Sequence, residues 1–154
     1  MGVEVVDIAR ILGGAKTLDR EINVFADLRV AIEQGLPAKA AMLTMKVVVN
    51  PLVESQREEF MGVVFKTDAR KKSFEDAKAW DDRLTEAESE RTERIARIFA
   101  LATNALGDAV TARQFMTTPH PRLGNISPLK NLGNEVGAIE IEDMLNAVLF
   151  GLPA

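Results

Sequence analysis

Apolar side chains recur at three- and four-residue intervals along nearly the whole chain, which is the period of helices packed on one face. Val24, Phe25, Leu28, Ala31 and Ile32 make the first clear stripe, and Gly35 is placed to cap it in a left-handed turn. Pro37 suits the first turn of a second helix that runs through Met42 and Met45. The end of that helix, Val47-Val48-Val49, is β-branched and compatible with strand, but it runs straight into Asn50-Pro51, a helix-start pair. Leu52, Val53 and Phe60 supply the apolar positions that follow. A basic stretch from Lys66 to Lys72 comes next, then a charged connection through Trp80 to Arg83.

The second half is more sharply punctuated. Thr85 and Glu88 spell a capping box, in which each side chain satisfies a free backbone N–H of the first turn. Ile95, Ile98, Phe99, Ala102 and Leu106 then form a stripe that Gly107 ends. Asp108 is placed to cap a helix carrying Val110, Ala112, Phe115 and Met116. A loop with two prolines and Gly124 spans residues 117–125. Ser127-Pro128 starts a short helix that Gly133 stops, and a last helix sets Ile141, Met144, Leu145, Val148 and Leu149 on one face before Gly151. The expected fold is all-α, as two helical units, residues 1–83 and 84–154, joined near residues 73–84. No repeat or low-complexity tract interrupts the pattern.

Composition narrows the chemistry. The 154 residues contain no cysteine and one histidine, His120, which excludes a disulfide framework, a thiolate metal site and a multi-histidine site. Met1 to Arg10 has no basic region followed by an apolar run, so no signal peptide is expected, and no apolar run is long enough to span a membrane. A cytoplasmic location is the expectation. Nineteen basic and 23 acidic residues give a net charge of −4. Residues 1–83 hold 13 basic and 14 acidic residues (net −1), and residues 84–154 hold 6 and 9 (net −3). Neither half is a basic module, so any contact with nucleic acid must be local.

No catalytic constellation stands out. His120 lies between Pro119 and Pro121 with no recognisable nucleophile motif beside it, and an enzyme built on it is the weakest of the readings. Glu86, Glu88, Glu90 and Glu93 read as a solvated helix start with paired surface charges four residues apart, not as a metal site. The glycine clusters Gly13-Gly14 and Gly133 to Gly137 match no phosphate-loop spacing. Lys66-Thr67-Asp68-Ala69-Arg70-Lys71-Lys72 follows two short helices and is placed to open a third, the order of a helix-turn-helix reader, with Lys66 and Arg70 on one helical face.

Several spaced motifs resemble the Xre/MbcA/ParS-like antitoxins of type II toxin–antitoxin pairs. In the C-terminal half these are Ser89-Glu90-Arg91, Ala102 to Leu106, Gly107-Asp108, Ala112-Arg113-Gln114-Phe115, Pro119, Leu123-Gly124, Ser127-Pro128-Leu129, Gly137 and Gly151. In the N-terminal half they are Leu12-Gly13-Gly14, Gly35-Leu36-Pro37 and the basic stretch. Asp68, Phe115 and Asn125 depart from the family pattern. Asp68 adds a negative charge near any bound phosphate, whereas Phe115 preserves an aromatic and Asn125 tolerates left-handed backbone.

The resemblance implies a non-enzymatic protein without cofactors. It implies an N-terminal Xre-like helix-turn-helix unit in residues 1–83, and a C-terminal toxin-binding domain in residues 84–154. The implied partner is a RES-domain toxin that consumes NAD or transfers ADP-ribose from it, bound within a hetero-oligomer built on an antitoxin homodimer. Its cleft would be covered through Arg113, Leu123, Asn125, Gly151, Leu152, Pro153 and Ala154, the last three entering as a stiff tail with the Ala154 carboxylate toward basic groups. Lys66, Thr67, Arg70, Lys71 and Lys72 would contact operator DNA in autorepression. A helical adaptor without a toxin partner would show the same periodicity and caps, and stays open at this stage.

Overall fold

The computed structural model describes residues 3–75 and 82–151. Among them nine α-helices follow in order: α1 (Val5–Ile11), α2 (Gly14–Leu18), α3 (Phe25–Gln34), α4 (Ala38–Val48), α5 (Glu54–Val64), α6 (Asp68–Ser73), α7 (Glu86–Leu106), α8 (Ala109–Thr117) and α9 (Glu135–Leu149). Two short 3-10 turns, Pro121–Leu123 and Lys130–Gly133, lie between α8 and α9. The described residues form no strand; Pro37 with Arg83 and His120 with Ile126 make isolated bridges. The chain is all-α, as its periodicity predicts.

The spine is α7. Its capping box forms as expected: Thr85 Oγ1 accepts from the Glu88 N–H at 3.1 Å, and the Glu88 carboxylate accepts from the Thr85 N–H at 2.9 Å. Ile95, Ile98, Phe99 and Ala102 are buried along it, and Gly107 ends it at φ +100°. Helices α9, α8, α4, α1, α3 and α5 all pack against α7. One apolar core therefore runs from Val5 to Leu145, across the junction at residue 83.

Backbone contacts bind the two sides of that junction. The Leu84 N–H donates to Leu36 O at 2.8 Å, the Ala38 N–H to Asp82 O at 2.7 Å, and the Leu36 N–H to Ser89 Oγ at 2.8 Å. Gly35 makes this approach possible. Its φ is +87°, and a Cβ there would lie 2.5 Å from Leu84 O.

Burial departs from the apolar pattern at particular places. The β-branched run stays helical through Val48 because both Val48 and Val49 are fully buried, so packing outweighs local propensity. Phe25, expected in the stripe of α3, begins the helix and is 56% exposed, as is Val24 before it. Val148 leaves the core face of α9 near its end and is 45% exposed. The expected solvated start of α7 is corrected most clearly. Glu88 is buried and meets Arg70 of α6, and Glu93 is half-buried and meets Arg97 one turn further along α7. Trp80, read as an anchor or partner contact, lies outside the described residues.

Candidate protein-interaction surface

The segment from α8 to the end of α9 is held by short polar ties. Asp108 caps α8, its carboxylate accepting from the Thr111 N–H at 2.7 Å. Arg113, projecting from α8, donates through Nε to Val47 O at 3.1 Å and so anchors α8 to the end of α4. The following loop closes on itself: the His120 N–H donates to Ile126 O at 3.0 Å and the Asn125 N–H to His120 O at 3.1 Å. The reversal uses Gly124 at φ +71° and Asn125 at φ +64°. Leu123 points inward and is buried, while Asn125 is exposed at the tip. His120 Nδ1 accepts from the Arg122 N–H at 3.1 Å, which makes the imidazole a local cap of the first 3-10 turn.

Ser127 fixes the second 3-10 turn. Its Oγ accepts from the Lys130 N–H at 3.1 Å, and its hydroxyl donates to the Glu59 carboxylate on α5. Asn134 caps α9, accepting from the Gly137 N–H at 2.9 Å. Gly137 is required by space: a Cβ there would lie 1.8 Å from Asn131 O. Gly151 leaves α9 at φ +66°, the left-handed exit that its residue type predicts. Leu152, Pro153 and Ala154 lie outside the described residues.

The core side of α9 carries Ala138, Ile141, Met144 and Leu145. Its outer side mixes exposed apolar side chains with the polar Glu140, Asp143 and Asn146. Val136 is 77% exposed, Ile139 50% and Phe150 60%, and their spacing of three and eleven residues places them on one exposed side, with Asp143 and Asn146 between Ile139 and Phe150. These exposed apolar side chains make this side of α9 the candidate interaction face.

Ion pairs clamp α9 to α7 beside that face. Glu135 receives Arg94 Nε at 3.0 Å and Arg97 Nη2 at 3.2 Å, and Arg97 Nη1 reaches Glu142 at 3.3 Å. Burial opposes the charge on Glu135, but Arg97 and Arg94 overcome it and hold the carboxyl below its ordinary range. Glu93 goes the other way. Burial pushes it up, reinforced by Glu135 and Glu142, against the pull of Arg97 at 3.6 Å.

The basic stretch is dispersed by the fold. Lys66 precedes α6 instead of sharing its face with Arg70, and its Nζ lies 3.4 Å from Gly133 O. Thr67 is the N-cap of α6, its Oγ1 accepting from the Arg70 N–H at 3.2 Å. Arg70 turns inward and makes a two-pronged pair with Glu88, Nε at 2.9 Å and Nη2 at 2.7 Å. The same guanidinium lies 5.0 Å from the centre of the Phe74 ring, which stacks on Phe65. Burial opposes charge on Glu88, and Arg70 with the Thr85 N–H holds its carboxyl below the ordinary value. Lys71 is half-buried and Lys72 exposed. The structure thus brings Arg70 to α7, and leaves Lys71 and Lys72 at the surface. The inward pairing of Arg70 is not legible locally, because its partner Glu88 lies 18 residues on and reads as part of a solvated helix start.

No described helix is long and apolar enough to cross a membrane. Residues 101–151 match the family described as the antitoxin Xre/MbcA/ParS C-terminal toxin-binding domain. A protein of Pseudomonas putida named Antitoxin Xre is 32% identical over 71 residues, 46% of this chain and 45% of that protein. A protein of the same name from Yersinia enterocolitica is 37% identical over 73 residues, 47% of this chain and 49% of its own length. The matched stretches cover about half the length of these curated relatives. Residues 101–151 are thus similar to the family's toxin-binding domain, and just under half of the chain is similar to the two proteins named Antitoxin Xre.

Proposed function

We propose that this protein neutralises a RES-domain toxin, one that hydrolyses NAD or transfers ADP-ribose, by covering its active-site cleft. It acts by binding and carries out no reaction itself. The observation that carries the reading is the set of exposed apolar side chains Val136, Ile139 and Phe150 on α9, inside the stretch matched to the toxin-binding domain. Burying three such side chains supplies several kcal/mol at roughly 1.5–3 kcal/mol each, enough to anchor a complex. Residues 84–154 form the toxin-binding unit in this reading. Arg113, Leu123 and Asn125 act through shape, by holding α8 and the loop under α9. Beyond Gly151, Leu152 and Pro153 extend the apolar face into the cleft, followed by Ala154.

Residues 1–83 dimerise and repress the operon in the same reading, with Lys71 and Lys72 offered to operator DNA, and Arg70 holding α6 in place. Lys66 and Thr67 frame the start of that helix. The test is co-expression of the full chain with the toxin encoded beside it, reading growth and complex formation by pull-down. Wild type restores growth. Ile139→Asp and Phe150→Asp fold normally but lose both growth rescue and the complex. Variants that rescue and bind as wild type does would remove α9 from the interface.

A further inference from the structure

Three surface grooves of similar size differ in charge. One of about 520 Å³ between α3 and α7 is lined by five glutamates against three arginines. Another of about 530 Å³, where α4, α5 and α6 meet, has four carboxylates and three cations. The third, about 510 Å³, lies between α5, the start of α6 and the Lys130–Gly133 turn. There the balance is reversed: Lys66, Lys71 and Lys130 face Glu58 and Glu59. Glu59 is already engaged by the Ser127 hydroxyl.

The three lysines differ from the arginines around them. Arg70, Arg94 and Arg97 are each paired with a carboxylate, whereas none of the three lysines has a carboxylate within ion-pair distance among the described residues. Lys66 is the most exposed to repulsion. Partial burial disfavours its charge, and Arg91 and Arg94 add like charge from α7. Among the described residues its one polar contact is the long one to Gly133 O. Two glycines keep the groove open beneath these ammonium groups. A Cβ on Gly133 would meet Lys66 Nζ at 3.4 Å, and one on Gly62 would meet Lys71 Nζ at 3.8 Å. Ser55 on the groove wall adds a hydroxyl donor.

Three lysines against two glutamates, none of them joined in an ion pair among the described residues and Glu59 engaged by Ser127, over a floor of glycine, fit an oxyanion with several acceptor oxygens. We propose that this groove binds a phosphate group, held by Lys66 and Lys71 from the N-terminal half and Lys130 from the C-terminal half. The site does not depend on toxin neutralisation. It extends the operator reading by adding Lys130, and a free phosphorylated ligand would preserve the site while removing that reading.

The probes are inorganic pyrophosphate and a 20-base-pair duplex, each titrated into the full chain at low salt, with the amide resonances of Gly62 and Gly133 as reporters. Pyrophosphate is expected to shift both. Lys130→Gln and Lys66→Gln, which alter exposed side chains, are expected to weaken its binding about tenfold each. If the duplex gives the same shifts and each substitution lowers its salt slope by about 1, the phosphate is that of DNA. If pyrophosphate alone binds, the ligand is a free phosphorylated molecule. Unmoved glycine resonances with both probes, or substituted chains that bind as wild type does, would overturn the site.

Discussion

Replacing Arg70 by alanine separates a structural arginine from a DNA-contacting one. The Glu88 side chain is only 5% exposed and Arg70 is 38% exposed, so the pair is dry on one side and wet on the other. Removing one partner of a fully buried pair costs roughly 3–5 kcal/mol, and an exposed pair is worth less than about 1 kcal/mol. The mixed geometry, with Glu88 still receiving the Thr85 N–H, places the cost at ~2 kcal/mol. In a chain of this size that lowers the melting temperature by about 4–8 °C. Melting followed by circular dichroism at pH 7 reads the loss.

The pH dependence supplies a second check. Glu88 sits below its ordinary value of 4.5, so its pairing stabilises the fold above that pH and the stability is lost as pH falls through the lowered folded value. The wild-type melting temperature should therefore drop more steeply below pH 4.5 than that of Arg70→Ala. A variant that melts within 1 °C or so of wild type at pH 7, with the same acid profile, would refute the clamp.

Glu93→Gln should leave stability unchanged or raise it at pH 7, because burial raises the folded pKa and charging the group costs stability as pH rises through that range; melting curves between pH 4 and 8, converging at the acid end, check it. Gly137→Ala should cost about 3 kcal/mol by denaturant unfolding, since its Cβ would meet the Asn131 backbone at 1.8 Å. Gly107→Ala, with open space but a φ of +100°, should cost only about 1 kcal/mol. Deleting Leu152 to Ala154 should leave the melting temperature nearly unchanged yet release NAD consumption by the bound toxin; a truncated chain that inhibits fully would confine inhibition to α9 and the loop.

Local rules carried the reading where the partner lies within a few residues. The Thr85–Glu88 box, the Asp108 cap and the glycine exits at Gly107 and Gly151 all involve backbone three or four positions away, and all are present. Partners distant in sequence were not legible. Within α7 the sequence offers Glu90–Arg94 and Glu93–Arg97 pairs, but Arg94 turns to Glu135 on α9, and Arg97 divides itself among Glu93, Glu135 and Glu142. The apolar pattern also overstates burial. Phe25, Val148 and Val110 have helical spacing but face outward, because a period marks a face and not what covers it. For the candidate site, Leu123 is buried and Asn125 exposed, a distinction set by how the loop closes, while Arg113 is half-buried on α8 and tied to Val47 O.

Sharing one long helix makes the stability of the two halves a joint property. The helix that seats α9 also seats α1, α3 and α4 around one core, so opening either side strips the other of its packing. A ligand that recognises only the folded α9 face then protects amides far from its footprint. At a hundred times its dissociation constant it raises the opening free energy by about 2.7 kcal/mol, slowing globally gated exchange on α1 and α4 about a hundredfold. Hydrogen exchange at Ile8 and Met45 would thus report occupancy of a surface that neither residue touches.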